Sequence, residues 1–207
     1  MASRMSGSDR RDQILSCARY VFAQEGYEGA RTADIAQRAG VSERLMYKHF
    51  LGKRELFVAV TKATASLVAD GYRQVADEAP DLESAIRELY DGRLGPGRFR
   101  GRTHGVFFAR VHGPFDDPEL DGAISAAYRT LADAATAFFA RMAQRGLARA
   151  DLDPEVVAWN LSGILHLHDP LWSAHTARRA VALERRIVDS FIRDLLPAPG
   201  RGSGPGR

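Results

Sequence analysis

Residues 32–50, TADIAQRAGVSERLMYKHF, decide the fold of this chain, because they predict two short helices joined by a tight turn. Ile35 and Ala39 lie four residues apart, as they would on one face of a first helix. Gly40 follows, where a helix commonly ends in a left-handed residue. Ser42 can cap the next helix by accepting a backbone N–H. The stretch therefore predicts a helix-turn-helix whose second helix begins at Ser42.

The second helix has a buried and an outward face. Met46 and Phe50, four residues apart, are expected to bury against the first helix. The residues left facing outward are Glu43, Arg44, Leu45, Tyr47 and Lys48. A DNA major groove takes cations for phosphates, Arg for guanine edges and an aliphatic group for a thymine methyl. Without further context, a solvated charged face on an ordinary helical hairpin is slightly favoured over DNA binding.

The wider context favours DNA binding. The run AQRAGVSERLMYKHF, followed by GKRELF, resembles the amino-terminal DNA-binding domain of the TetR family of bacterial transcriptional repressors. The family pattern of Tyr-x-His-Phe and then a Lys is found at Tyr47, His49, Phe50 and Lys53. The resemblance covers roughly residues 10–60 and implies a dimeric, all-helical regulator. We expect the DNA-binding residues to be Thr32, Ser42, Glu43, Arg44, Leu45, Tyr47, Lys48, His49 and Lys53.

The distribution of charge supports this assignment. Residues 1–62 hold 11 Lys and Arg against 7 Asp and Glu, whereas the other 145 residues hold 18 against 19. The positive excess therefore lies with the helix-turn-helix, as expected if that end meets a polyanion. A membrane surface is the weaker alternative. The three lysines also lie near this end, at Lys48, Lys53 and Lys62.

Composition limits the remaining possibilities. A chain of 207 residues with 45% hydrophobic residues is long enough to bury a core. Cys17 is the single cysteine, which excludes a disulfide framework and a cysteine-based metal site. Neither a signal peptide nor a bilayer-spanning stretch is recognisable, so we expect a cytoplasmic protein. No metal or cofactor is expected, because the histidines lack ligand spacing and no phosphate loop follows a strand.

The expected fold is all-α and has four parts. Residues 1–8 form a disordered tail, in which Arg4 with Arg10 and Arg11 could reach a minor groove, although a solvated tail is favoured. Residues 9–52 form the three-helix DNA-binding domain. Residues 53–196 form a helical effector-binding and dimerisation domain, and residues 197–207 a disordered tail. The predicted helices cover residues 9–24, 32–39, 42–50, 53–78, 81–90, 103–111, 118–145, 154–167 and 176–196.

Two further features belong to this prediction. The stripe of the long helix is expected to comprise Leu56, Phe57, Val60, Ala63, Leu67 and Val68. Loops are expected at Gly92–Gly97, at Gly113–Pro114, at Gly146 and at Asp169–Pro170.

The last two helices are apolar over more than one face. A stripe too wide for one neighbour predicts a subunit interface, which a four-helix bundle with two-fold symmetry would bury. The expected interface residues are Trp159, Gly163, Ile187 and Phe191. The alternative is that both helices lie at the centre of a larger bundle in one chain.

The middle of the chain is rich in aromatic and histidine residues, as a small-molecule site would be. The effector-binding candidates are His104, Phe108, His112, Asn160 and His166. Ordinary core packing, with a backbone carbonyl as the polar partner, is the alternative for each residue. Few charges accompany the cluster, so the expected effector is hydrophobic or aromatic.

These patterns favour a homodimeric repressor that a small hydrophobic effector releases from a palindromic DNA operator. An activator with the same architecture remains open, as does a non-specific DNA-binding protein. A helical ligand-binding protein or enzyme with a vestigial head is the third alternative. Catalysis is not expected, because no catalytic motif accompanies the helices.

Overall fold

The structure is a computed structural model that describes residues 6–94, 107, 108, 111, 115–172 and 177–197. Side chains are described for these residues except at 90–94, 164–172, 177–182 and 184. The described residues form eight helices and no strand, which confirms the predicted all-α class. The helices are α1 Gly7–Gly29, α2 Thr32–Arg38, α3 Glu43–Met46, α4 Lys53–Glu78, α5 Leu82–Leu94, α6 Pro118–Gln144, α7 Pro154–Trp172 and α8 Ala177–Leu195. Within the described part of the chain, no helix is long and apolar enough to cross a bilayer.

Helix α1 begins at Gly7 and not at Asp9 as predicted, because Ser6 and Asp9 form a capping box. The Ser6 hydroxyl accepts from the Asp9 N–H at 3.1 Å, and the Asp9 carboxylate accepts from the Ser6 N–H at 3.2 Å. These reciprocal bonds satisfy donors that a helix start leaves unpaired. Gly26, at φ 69°, interrupts the helix where its end was predicted, and a further turn runs to Gly29. The predicted tail over 1–8 is therefore wrong for residues 6–8.

The basic arm predicted at the amino terminus is also corrected in part. Arg10 and Arg11 lie in the first turns of α1 and not in an extended arm. Arg10 donates to the Gln13 side chain at 2.8 Å, and the Arg11 guanidinium lies 4.8 Å from the Phe50 ring centroid. Arg4 lies outside the described residues.

The described residues divide into two compact units. The first lies within Met1–Ala69 and Gly92–Leu131, and the second within Asp70–Asp91 and Ala132–Arg207. Helices α4 and α6 each contribute residues to both units. The domain boundary expected at residue 53 stays a prediction.

The first unit is built around Phe57 of α4, which is fully buried. Its ring centroid lies 5.1 Å from that of Phe22, 4.9 Å from that of Tyr27 and 5.7 Å from that of Phe115. All three rings meet Phe57 edge-on, the arrangement that aromatic quadrupoles favour. This aromatic cluster joins α1 to α4 and to the segment before α6, so the helix-turn-helix is supported from behind.

Helix α4 has the predicted bounds, but its buried face departs from the predicted stripe beyond Val60. Ala63 and Val68 are half-buried, and Leu67 is 45% exposed. The buried positions on this part of the helix carry small or hydroxyl side chains: Thr61, Thr64, Ala65 and Ala69. Small side chains pack where neighbouring elements approach closely, so a stripe defined by large apolar residues misplaces this face.

The core of the second unit contains Phe138 and Phe139 of α6. Both side chains are buried, and their ring centroids lie 4.9 Å apart. Phe138 packs edge-on against Tyr72 of α4 at 5.9 Å, and Phe139 against Phe191 of α8 at 6.2 Å. This packing places both phenylalanines in the core of the second unit.

Arginines near the end of α6 hold the end of α4. Arg145 donates to the carbonyl oxygens of Ala76 and Ala79 at 2.6 and 2.8 Å. Those carbonyls belong to a helix terminus, where backbone acceptors lack a helical partner. Arg141 donates to the Asp77 carboxylate at 2.9 Å.

Two helices run past their predicted ends. Helix α5 runs to Leu94 and includes Gly92, which was predicted to lie in a loop. Helix α7 continues beyond Leu167 to Trp172, through the predicted break at Asp169–Pro170. A proline removes one helical hydrogen bond, and the turns on either side of it can still be helical.

The remaining predicted breaks have different outcomes. Gly146 has φ 71°, as its predicted turn requires. The loop predicted at Gly113–Pro114 lies outside the described residues, as does most of the helix predicted over 103–111. The tail predicted over 197–207 also lies outside them, apart from Pro197.

Candidate nucleic-acid interface

The turn between α2 and α3 is closed by backbone hydrogen bonds. Gly40 has φ 63°, a left-handed conformation that glycine adopts without a steric penalty. The Gly40 N–H donates to the Gln37 carbonyl at 3.0 Å, and the Val41 N–H donates to the Ala36 carbonyl at 3.0 Å. These bonds satisfy the carbonyls at the end of α2 and fix the direction in which α3 begins.

Helix α3 begins as predicted, with Ser42 as its cap. The Ser42 hydroxyl accepts from the Leu45 N–H at 3.2 Å. Hydrogen bonds of helical spacing continue past the end of α3, from the His49 and Phe50 N–H groups to the Met46 carbonyl. The recognition segment, which we define as residues 42–50, therefore consists of the short helix α3 and a hydrogen-bonded turn over 47–49, so the helix predicted over 42–50 is shorter than expected.

The burial of the recognition segment matches the predicted faces except at Leu45, which was predicted to face outward and is half-buried. Met46 and Phe50 are buried against the rest of the first unit. Its exposed residues are Ser42, Glu43, Arg44, Tyr47 and Lys48. Leu45 and His49 are half-buried. The outward face consequently presents two cations, a carboxylate and a phenol.

Three of the predicted DNA-binding residues contact one another. The Thr32 hydroxyl donates to the Glu43 carboxylate at 2.9 Å, and its oxygen lies 3.1 Å from the Tyr47 hydroxyl. Thr32 begins α2, whereas Glu43 and Tyr47 lie on the recognition segment. This hydrogen-bonded triad therefore joins the two helices on their outward side.

Lys53 was predicted to bind DNA, and the structure gives its side chain an internal contact. Its ammonium donates to the Glu28 carbonyl at 3.0 Å and lies 4.7 Å from the Tyr27 ring centroid. Both partners lie near the end of α1, where backbone acceptors lack helical partners. A role in DNA binding stays a prediction for this residue.

Replacing Lys53 with Met should therefore lower the free energy of unfolding by about 1 kcal/mol, because the charged hydrogen bond and the cation–ring contact are both lost. Urea denaturation followed by circular dichroism measures this change. Lys62→Met removes an exposed lysine from the same helix and should change stability by less than about 0.5 kcal/mol. Equal stability of the two variants would show that the contact of Lys53 with α1 contributes nothing.

Two arginine contacts near the interface were missed from the sequence. The Arg38 guanidinium lies 3.5 Å from the Tyr20 ring centroid, besides the contact of Arg11 with Phe50 described above. Each pair is far apart in sequence, so no local pattern reveals it.

An ion pair fixes the start of α4 to the segment before α6. Arg54 lies 2.8 Å from the Asp117 carboxylate and 3.8 Å from that of Glu119. All three residues belong to the first unit. Because Arg54 is largely exposed, we expect this pair to contribute little to stability on its own.

The predicted effector-binding residues are only partly described. His104 and His112 lie outside the described residues, and the side chain of His166 is not described. Phe108 is buried in the first unit, 5.8 Å from the Tyr128 ring centroid. Asn160 is exposed in the second unit. An effector site formed by these residues stays a prediction.

Most of the predicted interface residues are exposed in the single chain. Trp159 is 65% exposed and Ile187 is 43% exposed, and Gly163 is exposed as well. Phe191 is half-buried against Phe139. Val156 and Leu183, which belong to the apolar stripes of these two helices, are exposed as well. Large exposed apolar side chains commonly mark a protein–protein contact.

Two other kinds of site, a metal site and a reactive cysteine, receive no support from the described residues. They contain no group of three or more His, Cys, Asp or Glu side chains that could hold a metal ion. Cys17 is half-buried in α1, and burial raises the pKa of its thiol, which disfavours the reactive thiolate.

A glycine turn followed by a capped helix with an exposed basic face is what defines the helix-turn-helix class of DNA-binding proteins, to which this fold belongs. Residues 14–60 match the family model described as bacterial regulatory proteins, tetR family. The HTH-type transcriptional activator FasR of Mycolicibacterium smegmatis is 36% identical over 93 residues, which are 43% of this chain and 42% of that protein. The HTH-type transcriptional repressor AcnR of Corynebacterium efficiens is 27% identical over 156 residues, which are 75% of this chain and 77% of that protein.

The fold has a counterpart among solved structures. A TetR-family transcriptional regulator from Agrobacterium tumefaciens superposes with a TM-score of 0.72 at 20% identity, covering 93% of this chain and 100% of that one. Residues 14–60 are therefore similar to the DNA-binding domain of the TetR family, and the solved structure shows that the chain shares the fold of a TetR-family regulator. The match to FasR spans less than half of that protein's length.

Proposed function

We propose that this chain is a cytoplasmic, ligand-responsive transcriptional regulator that binds a palindromic DNA operator as a homodimer. The observation that carries the proposal is the exposed face of the recognition segment, where Arg44, Tyr47 and Lys48 project from a helix supported by Met46 and Phe50. A recognition helix of this kind enters the major groove and reads base edges. The proposed role is regulatory and not catalytic.

The proposal divides the outward face into two kinds of contact. Arg44 and Leu45 read bases, while Tyr47, Lys48 and His49 hold phosphates. Arg presents two donors to the acceptors of guanine, and an aliphatic side chain fits a thymine methyl. Phosphate contacts fix the register of the protein on the duplex and carry no sequence information directly.

Substitutions at Arg44 and Lys48 should consequently have different effects. Lys48→Ala should weaken binding to all duplexes and lower the slope of log affinity against log salt by about one unit. Arg44→Ala should cost about 1 to 3 kcal/mol at its base position and relax specificity there. Fluorescence anisotropy titrations over a range of salt concentrations measure both quantities.

The control for this pair is Lys62→Ala, which removes an exposed lysine outside the recognition segment. Its salt slope should stay at the wild-type value. Binding that is unchanged when Arg44 and Lys48 are both replaced would disprove the assignment of this face.

The exposed apolar side chains of α7 and α8 support the proposed homodimer. Two copies related by two-fold symmetry would bury Trp159 and Ile187 of each chain in a four-helix bundle. The same symmetry would present two recognition segments to successive major grooves, about 34 Å apart, and so demands a palindromic operator.

The effector is proposed to be a small hydrophobic or aromatic compound, bound by some of the five candidates given above. Phe108 supports an apolar site, since it is buried beside an aromatic neighbour in the first unit. A ligand changes DNA affinity only as far as it prefers the conformation that does not bind DNA. In a repressor, a ligand with that preference causes the protein to dissociate from the operator.

Activation is the second candidate, because the relative FasR is named an activator and AcnR a repressor. Sequencing the genomic DNA fragments that the purified protein retains tests DNA binding and identifies the operator. Transcription from a promoter carrying that operator then falls for a repressor and rises for an activator. Retention of random fragments without a common sequence would contradict the proposal.

A further inference from the structure

The hydrogen-bonded triad places a carboxylate on a face that is otherwise suited to polyanions. The Thr32 hydroxyl has one proton, and it points to Glu43, because an ionised carboxylate only accepts hydrogen bonds. In the protein without DNA, the Tyr47 hydroxyl must then donate to the Thr32 oxygen, and it is free to turn to a phosphate when DNA binds. The triad is therefore a directed chain, from Tyr47 to Thr32 to Glu43, that ends on the carboxylate.

A carboxylate at this position lowers the electrostatic, sequence-independent part of the affinity for DNA. It repels phosphates and partly offsets the neighbouring cations Arg44 and Lys48. Its side chain is nevertheless exposed beside them and is held by a bond from another helix. Because a carboxylate only accepts hydrogen bonds, it makes a favourable contact in the major groove where a base presents a donor.

Few base edges present such a donor. Cytosine presents its N4 amino group, whereas guanine and thymine present acceptors that repel a carboxylate. Adenine presents an N6 amino group beside the N7 acceptor, so a carboxylate meets attraction and repulsion at once. The chemistry of the carboxylate therefore selects cytosine.

We propose that Glu43 is a specificity-determining residue that accepts a hydrogen bond from the N4 amino group of one cytosine in each half-site, and that Thr32 is its positioning residue. This inference rests on the proposed function, since it requires that the recognition segment enters the major groove. Holding a flexible Glu side chain in one rotamer before binding reduces the entropy lost on binding. The contact with Thr32 provides that restriction.

Selection of duplexes from a randomised pool, followed by sequencing, tests the base preference. The wild-type protein should prefer cytosine over guanine or thymine by roughly fivefold to tenfold at one position of each half-site. Glu43→Gln should change the preference at that position to adenine, because a carboxamide pairs with the N6 and N7 atoms of adenine. Preferences at all other positions should be unchanged.

Glu25→Gln is the matched control, because it removes the same charge from an exposed residue of α1. It should raise affinity for all duplexes slightly and leave every base preference intact. If Glu43→Gln behaves in the same way, Glu43 acts only through its charge and the inference is wrong.

The positioning role of Thr32 has a separate readout. Thr32→Val keeps the shape of the side chain and removes the hydroxyl, so the cytosine preference should fall to about twofold or less without moving to another base. Thr32→Ser restores a hydroxyl and should restore the preference. A cytosine preference that survives Thr32→Val at full strength would overturn the role of Thr32.

The selection also separates failure of this inference from failure of the proposed function. If the wild-type protein enriches no common sequence, the proposed function itself is wrong. If it enriches a palindrome with the same bases as the Glu43→Gln variant, the protein reads DNA and Glu43 does not take part.

Discussion

Replacing Phe57 with Ala should destabilise the protein by about 3 to 5 kcal/mol, which is a large part of the total stability of a typical domain. Phe57 is fully buried and packs edge-on against Phe22, Tyr27 and Phe115. Its removal leaves a cavity where α1, α4 and the segment before α6 meet. Urea denaturation followed by circular dichroism measures the loss.

The control for this substitution is Leu67→Ala on the same helix. Leu67 is largely exposed, so its truncation should cost about 0.5 kcal/mol or less. A similar cost at both positions would show that the aromatic cluster does not carry the stability of the first unit.

Replacing Ile187 with Glu should weaken the proposed homodimer by more than about a hundredfold. The exposed side chain of Ile187 lies one turn from Leu183, which is exposed as well. If a partner chain covers this face, the new carboxylate loses its hydration in an apolar contact, at a cost of several kcal/mol. Sedimentation velocity over a range of protein concentrations measures the dissociation constant. Operator binding should weaken with it, since both half-sites must be engaged together.

Arg185→Glu provides the control for the Ile187 substitution. Arg185 is exposed and lies two residues earlier, about 200° around the same helix. It should leave the oligomeric state unchanged. A wild-type protein that sediments as a monomer at micromolar concentration would contradict the proposed interface altogether.

The sequence predicts helices best where local signals mark both ends. Gly52 and Pro80 mark the two ends of α4, and Pro118 marks the start of α6. The start of α1 was misplaced although Ser6 and Asp9 carry a capping-box signal. In α7, Pro170 predicts a break, yet the helix continues through it to Trp172.

The buried face of α4 shows what a pattern of large apolar residues cannot predict. Thr61 and Thr64 are buried, whereas Leu67 is largely exposed. Which face is buried depends on the elements that pack against the helix, and these come from distant parts of the chain. Periodicity identifies the helix and only approximately identifies its inner side.

The interface shows the same division between local and distant information. The turn at Gly40, the cap at Ser42 and the outward face were all predictable from adjacent residues. The bond between Thr32 and Glu43 and that between Lys53 and Glu28 join residues far apart in sequence, so no local pattern predicts them. Residue types can therefore be assigned to the site from sequence, but their partners cannot.

The placement of the lysines has a practical consequence for handling the protein. Lys48, Lys53 and Lys62 are the only lysines of the chain, and Lys48 lies on the recognition segment itself. Reagents that react with lysine side chains, such as dyes, cross-linkers and sensor surfaces, will consequently modify the first unit, which carries the proposed DNA-binding face. The second unit contains no lysine for them to modify. Immobilisation through lysine side chains would turn that face toward the support, so a surface-based binding assay calls for attachment by another chemistry.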